Sequence, residues 1–275
     1  MGVLDDKVAI VTGSARGIGR ATAELLSEQG ASVLINDLDG DVAEQTAAEI
    51  SGETVVYGGD LTKEGTADQL VQAAIDAWGK IDIIVNNAGY TIDAPIHKMS
   101  DDAFQRMLDI HTIVPFRVIR AAAPHLREPA KKEREEGVEV FRKIVNVSSI
   151  SGTMGNAGQA NYSSGKNAVV GLTKSLAKEW GQFKINVNAV AFGWIETRLT
   201  ASKVEDNTME IGGEKVQLGI PDQMRGMASM LIPLGRTGTP AEAAGGVFFL
   251  CSPWSNFVHG QVLNITGGQF TGMMS

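Results

Sequence analysis

Val8-Ala9-Ile10-Val11-Thr12-Gly13-Ser14-Ala15-Arg16-Gly17-Ile18-Gly19 is the stretch whose reading decides the fold. Its first four residues are apolar without alternation, which suits a strand covered on both faces. Three glycines follow within seven residues, letting the chain turn sharply and bring its backbone close to another group. A helical pattern then opens over about 17–29. A strand, a glycine-rich turn and a helix N-terminus together form an anion cradle, because a helix start offers free N–H groups and the positive end of its dipole.

The same alternation repeats outward from this stretch. Strands are predicted at 8–12, 33–37, 54–58, 81–86, 143–148, 185–190 and 262–266, and helices at about 17–29, 40–50, 66–78, 101–125, 160–180 and 240–250. Repeated βαβ units imply a single doubly wound, Rossmann-type α/β domain: a seven-stranded parallel sheet with helices on both faces. A chain of 275 residues can fill one such core.

Two stretches break the alternation. Residues 127–142 form a charged surface insertion containing Pro129 and Gly137, expected as a short exposed helix or loop. The connection from Arg198 to Pro240 is far longer than usual, and 198–232 is expected to be a substrate lid. Within it Met209-Glu210-Ile211 and Val216-Gln217-Leu218 flank Gly212-Gly213-Glu214-Lys215, the pattern of a hairpin. Met224, Met227, Met230 and Leu231 follow at helical spacing, as core or as an apolar wall for substrate.

Composition narrows the class. With 43% hydrophobic and 20% charged residues the chain is globular rather than disordered. A net charge of −8 argues against nucleic acid as a partner. Cys251 is the only cysteine, so neither an internal disulfide nor a Cys-x-x-Cys motif is possible. His97, His111, His125 and His259 lack metal-ligand spacing, and no metal is expected. Neither an apolar run of membrane length nor a basic-then-apolar leader is visible, so the expectation is a cytoplasmic protein with no membrane partner.

The cradle of Gly13, Ser14, Arg16, Gly17, Ile18 and Gly19 suits a dinucleotide pyrophosphate. Asp37 ends the second strand, 18 residues beyond Gly19, where a carboxylate accepts hydrogen bonds from adenosine ribose hydroxyls and repels a 2′-phosphate. Leu38 beside it offers no cation. NAD is therefore favoured over NADP, with Arg16 as the counterweight. Asp60-Leu61 and Asn86-Asn87-Ala88-Gly89 end the third and fourth strands at the same sheet edge.

Tyr162 and Lys166 stand four residues apart, on one face of a helix. A neighbouring ammonium is expected to lower the phenol pKa toward working pH for acid–base catalysis. Ser149, at the end of the fifth strand, is placed to hydrogen-bond a substrate oxygen as charge develops on it.

Taken in order, Thr12-Gly13-x-x-x-Gly17-x-Gly19, Asn86-Asn87-Ala88-Gly89, Ser149, Tyr162-x-x-x-Lys166 and Gly267-Gly268 resemble the short-chain dehydrogenase/reductase family over essentially the whole chain. Gly158-Gln159-Ala160-Asn161-Tyr162 and Pro233-Leu234-Gly235-Arg236-Thr237-Gly238-Thr239-Pro240 resemble its 3-oxoacyl-carrier-protein reductase branch. The resemblance implies hydride transfer between a nicotinamide and a secondary alcohol or ketone. Tyr162 would exchange the proton, Ser149 would orient substrate, and Lys166 would hold the nicotinamide ribose and tune Tyr162. Gly193, Ile195 and Thr197 would lie beside the nicotinamide. A homotetramer packed through the helices near 101–125 and 160–180 is also implied.

Three departures qualify the resemblance. His111 stands where the family carries an Asn that helps hold a proton-relay water, and an ordinary histidine there would change charge near pH 6.5. Phe192-Gly193 replaces an expected Pro-Gly and could add an apolar wall for substrate. Gln182-Phe183 occupies a position that is basic in carrier-protein reductases. The reading is an NAD-dependent dehydrogenase or ketoreductase for a hydrophobic or acyl-type substrate. Its alternatives are 3-oxoacyl-carrier-protein reduction and a non-catalytic nucleotide sensor on the same fold.

Overall fold

The computed structural model describes residues 2–202, 207–211, 214–220 and 222–269. The first half runs β1 (Val8–Thr12), α1 (Gly17–Glu28), β2 (Ser32–Asp37), α2 (Gly40–Glu49), β3 (Thr54–Gly58), α3 (Thr66–Trp78), β4 (Ile83–Asn86), α4 (Asp101–Leu108) and α5 (Val114–Glu135). The second half runs β5 (Arg142–Ser149), α6 (Ile150–Met154), α7 (Ala160–Trp180), β6 (Ile185–Phe192), β7 (Thr208–Ile211), β8 (Glu214–Gln217), α8 (Asp222–Leu231), α9 (Pro240–Cys251) and β9 (Val262–Ile265).

Seven parallel strands form one sheet in the order β3-β2-β1-β4-β5-β6-β9. The order reverses between β1 and β4, which opens a crevice at the carboxyl edge where ligands of such sheets bind. Side chains alternate across the sheet. Ile10, Leu34, Ile84 and Ile144 pack with α3, α5 and α7. Val11, Val33, Val85, Val145 and Val190 pack with α1, α2 and α9. Two apolar layers thus hold every central strand, as the unbroken hydrophobic runs require.

A buried polar chain fixes α7 to this frame. The Asn86 amide donates to Asn146 Oδ1 (2.8 Å), and the Asn146 amide donates to Thr173 Oγ1 on α7 (2.9 Å). Each hydrogen bond here replaces water that burial removes and gives the chain a direction, while Asn86 Oδ1 is left buried without a partner among the described residues.

The helix expected over 101–125 is two helices joined by a π-helical turn at Asp109–Ile113, where the Val114 N–H donates to the Asp109 carbonyl. Pro115 has no N–H, so the His111 carbonyl cannot receive the usual bond from four residues on, and the wider turn takes its place. The charged stretch at 127–142 adds no separate helix, and its expected loop is only residues 136–141. α5 continues through Pro124 and Pro129 to Glu135, held by its buried stripe of Val118, Ile119, Ala122, Leu126 and Ala130. Arg142 is drawn into β5, with its guanidinium donating to both Glu133 carboxylate oxygens at 2.7 Å.

The hairpin read in the long connection is present as antiparallel β7 and β8, in register from Thr208↔Gln217 to Ile211↔Glu214. Its turn residues Gly212 and Gly213 lie outside the described residues. The methionine-bearing helix is present as α8, but Met230 and Leu231 are exposed rather than core. The side chains of Met224 and Met227 lie outside the description. Among the described residues no helix is long and apolar enough to cross a membrane.

Candidate active site

β1 delivers the chain into the glycine turn with Gly13 at φ 61° and Gly17 at φ 57°, a region where side-chain-bearing residues are strained. Space is equally limiting. A Cβ on Gly13 would come within 2.7 Å of Ala88 Cα, and one on Gly19 within 2.1 Å of the Gly13 carbonyl oxygen. Asn87 holds the loop from β4: its amide donates to the Thr12 and Gly13 carbonyls, each at 2.9 Å. The Thr12 hydroxyl accepts from the Asn87 and Ala88 N–H groups at 3.0 Å. Arg16 occupies the N-cap of α1 and makes no side-chain cap, which leaves the first-turn N–H groups turned toward the cleft for an anion.

The cleft runs along the carboxyl edge. Gly13, Arg16, Gly17, Ile18 and Gly19 form one wall; Asp37, Leu38, Asp60 and Leu61 form one end; Asn87, Ala88, Gly89 and Thr197 close the other side. Asp37 is held in place, accepting from the Ala15 N–H (3.1 Å) and the Asp39 N–H (3.3 Å). Asp60 folds into a tight turn, accepting from the Thr62 N–H (2.9 Å) and hydroxyl (2.6 Å). Ser14 does not reach the cleft. It is fully buried and donates its hydroxyl to the Val11 carbonyl at 2.7 Å.

Sequence reasoning missed several lining residues. Asn36, Gly59, Thr62 and Tyr90 adjoin motifs that were read, and Ile110 faces the cleft from the π-helical turn. Leu199, Met209 and Leu218 bring the long connection over the cleft, where only a hairpin was legible and not the direction of its side chains.

Ser149, which is not among the residues lining this cleft, closes β5 and caps α6, its Oγ accepting from the Ser151 N–H at 3.2 Å. Tyr162 lies in the first turn of α7, partly buried, with the Ser149 side chain near enough to favour its ionised form. One turn later, Lys166 Nζ stands 5.7 Å from the Tyr162 ring centroid and donates to the Val147 carbonyl at 2.8 Å. The expected acidification of the phenol by this amine is not what the geometry gives. Burial pushes Tyr162 up to about 12, and the influence that lowers it is the Ser149 side chain. Burial also pushes Lys166 down to about 7. Loss of water outweighs attraction between the two groups, because the amine is directed at a backbone carbonyl.

His111 is brought to the same place by the π-helical turn. It is 2% exposed, and its Nε2 lies 2.7 Å from the Tyr90 carbonyl, so Nε2 carries the proton and donates. Nδ1 is a buried acceptor without a hydrogen-bond partner among the described residues. The ring meets Tyr162 edge-on at 4.9 Å and 87°. Gly89 and Gly165 make room, since a Cβ on either would lie 2.5 Å from His111 Cε1 or 3.0 Å from its Cβ. The expected change of charge near pH 6.5 is overturned. Burial first, and then repulsion from Lys166, hold His111 well below that range, so it is neutral at ordinary pH.

The residues after β6 take mixed positions. Gly193 packs against Thr266, and Ile195 is 5% exposed in a bridge to Gly238, while Thr197 stands over Gly17. Phe192 is no substrate wall; it is buried in the layer beneath α9. Gln182 accepts from Arg134 at 2.7 Å and Phe183 is buried.

Known proteins share this arrangement. A family model described as enoyl-(acyl carrier protein) reductase matches residues 13–269. The chain is 35% identical to the 3-oxoacyl-[acyl-carrier-protein] reductase FabG of Vibrio cholerae, over 97% of this chain and 98% of that one. It is 35% identical to the FabG of Thermotoga maritima (96% and 98% covered) and 36% identical to that of Aquifex aeolicus (97% and 98% covered). With the glycine cradle, the carboxyl-edge cleft and the Ser149–Tyr162–Lys166 group on one sheet, the chain belongs to the short-chain dehydrogenase/reductase family, as an NAD(P)-dependent oxidoreductase that interconverts a secondary alcohol and a ketone.

Proposed function

We propose that the enzyme uses NAD(H) on a hydrophobic or acyl-type substrate, with Tyr162 as the proton carrier. The carrying observation is the gathering of Tyr162 between the Lys166 amine, 5.7 Å from its ring centroid, and the edge-on His111 ring, with Ser149 near enough to favour the phenolate. The glycine cradle fits a dinucleotide, because any Cβ on Gly13 or Gly19 would fill the close backbone approach such a ligand needs. Gly13, Arg16, Gly17, Ile18, Gly19 and the α1 N-terminus would hold its pyrophosphate. Asp37 and Leu38 would hold the adenosine end, with Asp60, Leu61, Asn87, Ala88 and Gly89 along its length. Gly193, Ile195 and Thr197 would border the nicotinamide, which supplies or takes the hydride.

In ketone reduction the Ser149 hydroxyl donates to the carbonyl oxygen and holds it against Tyr162. Tyr162 stays protonated through the physiological range, so it is loaded as the acid and gives its proton to that oxygen as negative charge develops there. Lys166, in its charged form, steadies the phenolate that remains. His111 keeps the Tyr162 ring upright by edge-on contact and offers Nδ1 as an acceptor for a relay water.

Asp37 supports NAD over NADP, since its carboxylate would face a 2′-phosphate. Leu199, Met209 and Leu218 support an apolar substrate, because they give the cleft an apolar roof. The names of the relatives favour 3-oxoacyl-carrier-protein reduction as a second reading. Exposed Phe116 on α5 supports a homotetramer. The test follows NADH and NADPH oxidation with hydroxyacyl-type, alicyclic and short polyol-type ketones. Faster turnover of the apolar ketones with NADH is expected. NADPH preference, or polyol-type ketones reduced faster, would overturn the reading.

A further inference from the structure

Arg16 lies in the glycine loop at the adenosine end of the cleft, where a guanidinium would welcome the 2′-phosphate that Asp37 rejects. The two residues pull the cofactor preference in opposite directions. A third residue resolves the conflict. Asp39 Oδ2 forms an ion pair with the Arg16 guanidinium at 2.9 Å. The Asp39 backbone is in turn fixed by Asp37, which accepts its N–H at 3.3 Å. The other Asp39 oxygen accepts from the Val42 N–H at 3.3 Å, capping α2.

We propose that Asp39 is a specificity-determining residue for the cofactor: it latches Arg16 and so withholds from a ribose 2′-phosphate the cation that would compensate Asp37. This rests on the reading that Asp37 disfavours NADP. The carboxylate is oriented twice over, by its own backbone N–H on Asp37 and by the α2 cap, so it stands ready before any cofactor enters. Arg198, which also lines the cleft, adds its field to the same carboxylate while donating to the Thr208 carbonyl at 2.9 Å. A 2′-phosphate would meet Asp37 and Asp39 together, with Arg16 already engaged. An adenosine ribose bearing two hydroxyls meets neither penalty.

The pair is partly exposed, with side-chain accessibilities of 35% and 46%, so its influence is modest and sensitive to salt. The test is Asp39→Ser, which keeps a good helix cap while removing the charge and the reach. Fluorescence titration with NADPH and NADH should give an affinity ratio for NADPH over NADH raised about tenfold, matched in steady-state kinetics by a lower KM for the 2′-phosphorylated cofactor with kcat unchanged. Adding Arg16→Ala to Asp39→Ser should cancel the gain. The gain should shrink as salt is raised from 50 mM to about 500 mM, the range over which such charges are screened.

A ratio unchanged within twofold in Asp39→Ser, or a gain that survives Arg16→Ala, overturns the latch. A wild-type enzyme that prefers NADP overturns the Asp37 reading instead, and the response of the ratio to Asp39→Ser still decides the latch separately.

Discussion

Two lysines are buried at opposite ends of the same part of the sheet, and their surroundings differ in one respect. Lys143, at the amino end of β5, gives its three N–H groups to Asn186 Oδ1 (2.9 Å), Ser255 Oγ (3.2 Å) and Asn256 Oδ1 (2.8 Å). Lys166, packed against the carboxyl end of β5, gives one to the Val147 carbonyl and has no other hydrogen-bond partner among the described residues. Burial depresses both amines, Lys143 to about 8 and Lys166 to about 7. A buried ammonium with every donor engaged is a structural tie between β5, β6 and the segment before β9. One with donors left over is a group awaiting a ligand, since an unpaired buried donor is costly and is kept where something else will meet it.

The sharpest way to break this comparison is to remove each amine in turn. Lys166→Met should lower kcat/KM by about 10²-fold or more, the scale of support for general acid–base catalysis. Its stability in thermal or urea unfolding should be unchanged or raised, because an under-satisfied buried charge is replaced by an apolar chain. Lys143→Met should do the reverse: activity within about twofold, and stability lower by about 1–3 kcal/mol as three acceptors lose their donor. A large loss of activity in Lys143→Met with its fold intact would erase the distinction.

The pH dependence of stability sharpens it further. Each amine binds its proton less tightly in the folded chain than at the usual 10.5 of the unfolded chain. Between about 7 or 8 and 10.5 the unfolded chain therefore carries more protons, and stability rises with pH, by at most about 1.4 kcal/mol per pH unit for each lysine. Below those folded values the penalty is constant. Lys143→Met should remove one proton's share of the slope above pH 8, measured by urea unfolding across that range.

The smallest effect is expected at His111. It is neutral through the working range, so His111→Asn should leave the pH profile of kcat/KM between 6 and 9 in shape, with activity reduced only a fewfold as the edge contact to Tyr162 is lost. An acidic limb that disappears in this variant would show that His111 titrates after all.

Much of this was legible in the residues. Unbroken apolar runs and the glycine turn gave the central strands, because those signals are local and these strands are covered on both faces, while the half-buried edge strands β3 and β9 were read from their place in the alternation. The ordered placing of Ser149, Tyr162 and Lys166 picked out side chains that the fold gathers around the end of β5 and the start of α7, for the same reason. What was not legible depends on distance in sequence. Pro115 acts on the carbonyl of His111 and widens the turn, and a period of 3.6 does not register it. The ion pair between Glu133 and Arg142 ties the end of α5 to the start of β5 and leaves only residues 136–141 of the charged stretch as loop. The pKa values went the other way from the motif-based expectation, since spacing brings Lys166 near Tyr162 but carries no information on how much water either retains.

The most direct test of the central claim is Tyr162→Phe, measured for NADH binding by fluorescence titration and for ketone reduction by NADH absorbance on the same preparation. Removal of one hydroxyl should leave NADH affinity within about threefold and lower kcat by about 10³-fold, the range of a lost general acid. Turnover within tenfold of the wild type would contradict the assignment of Tyr162 as the group that carries the proton.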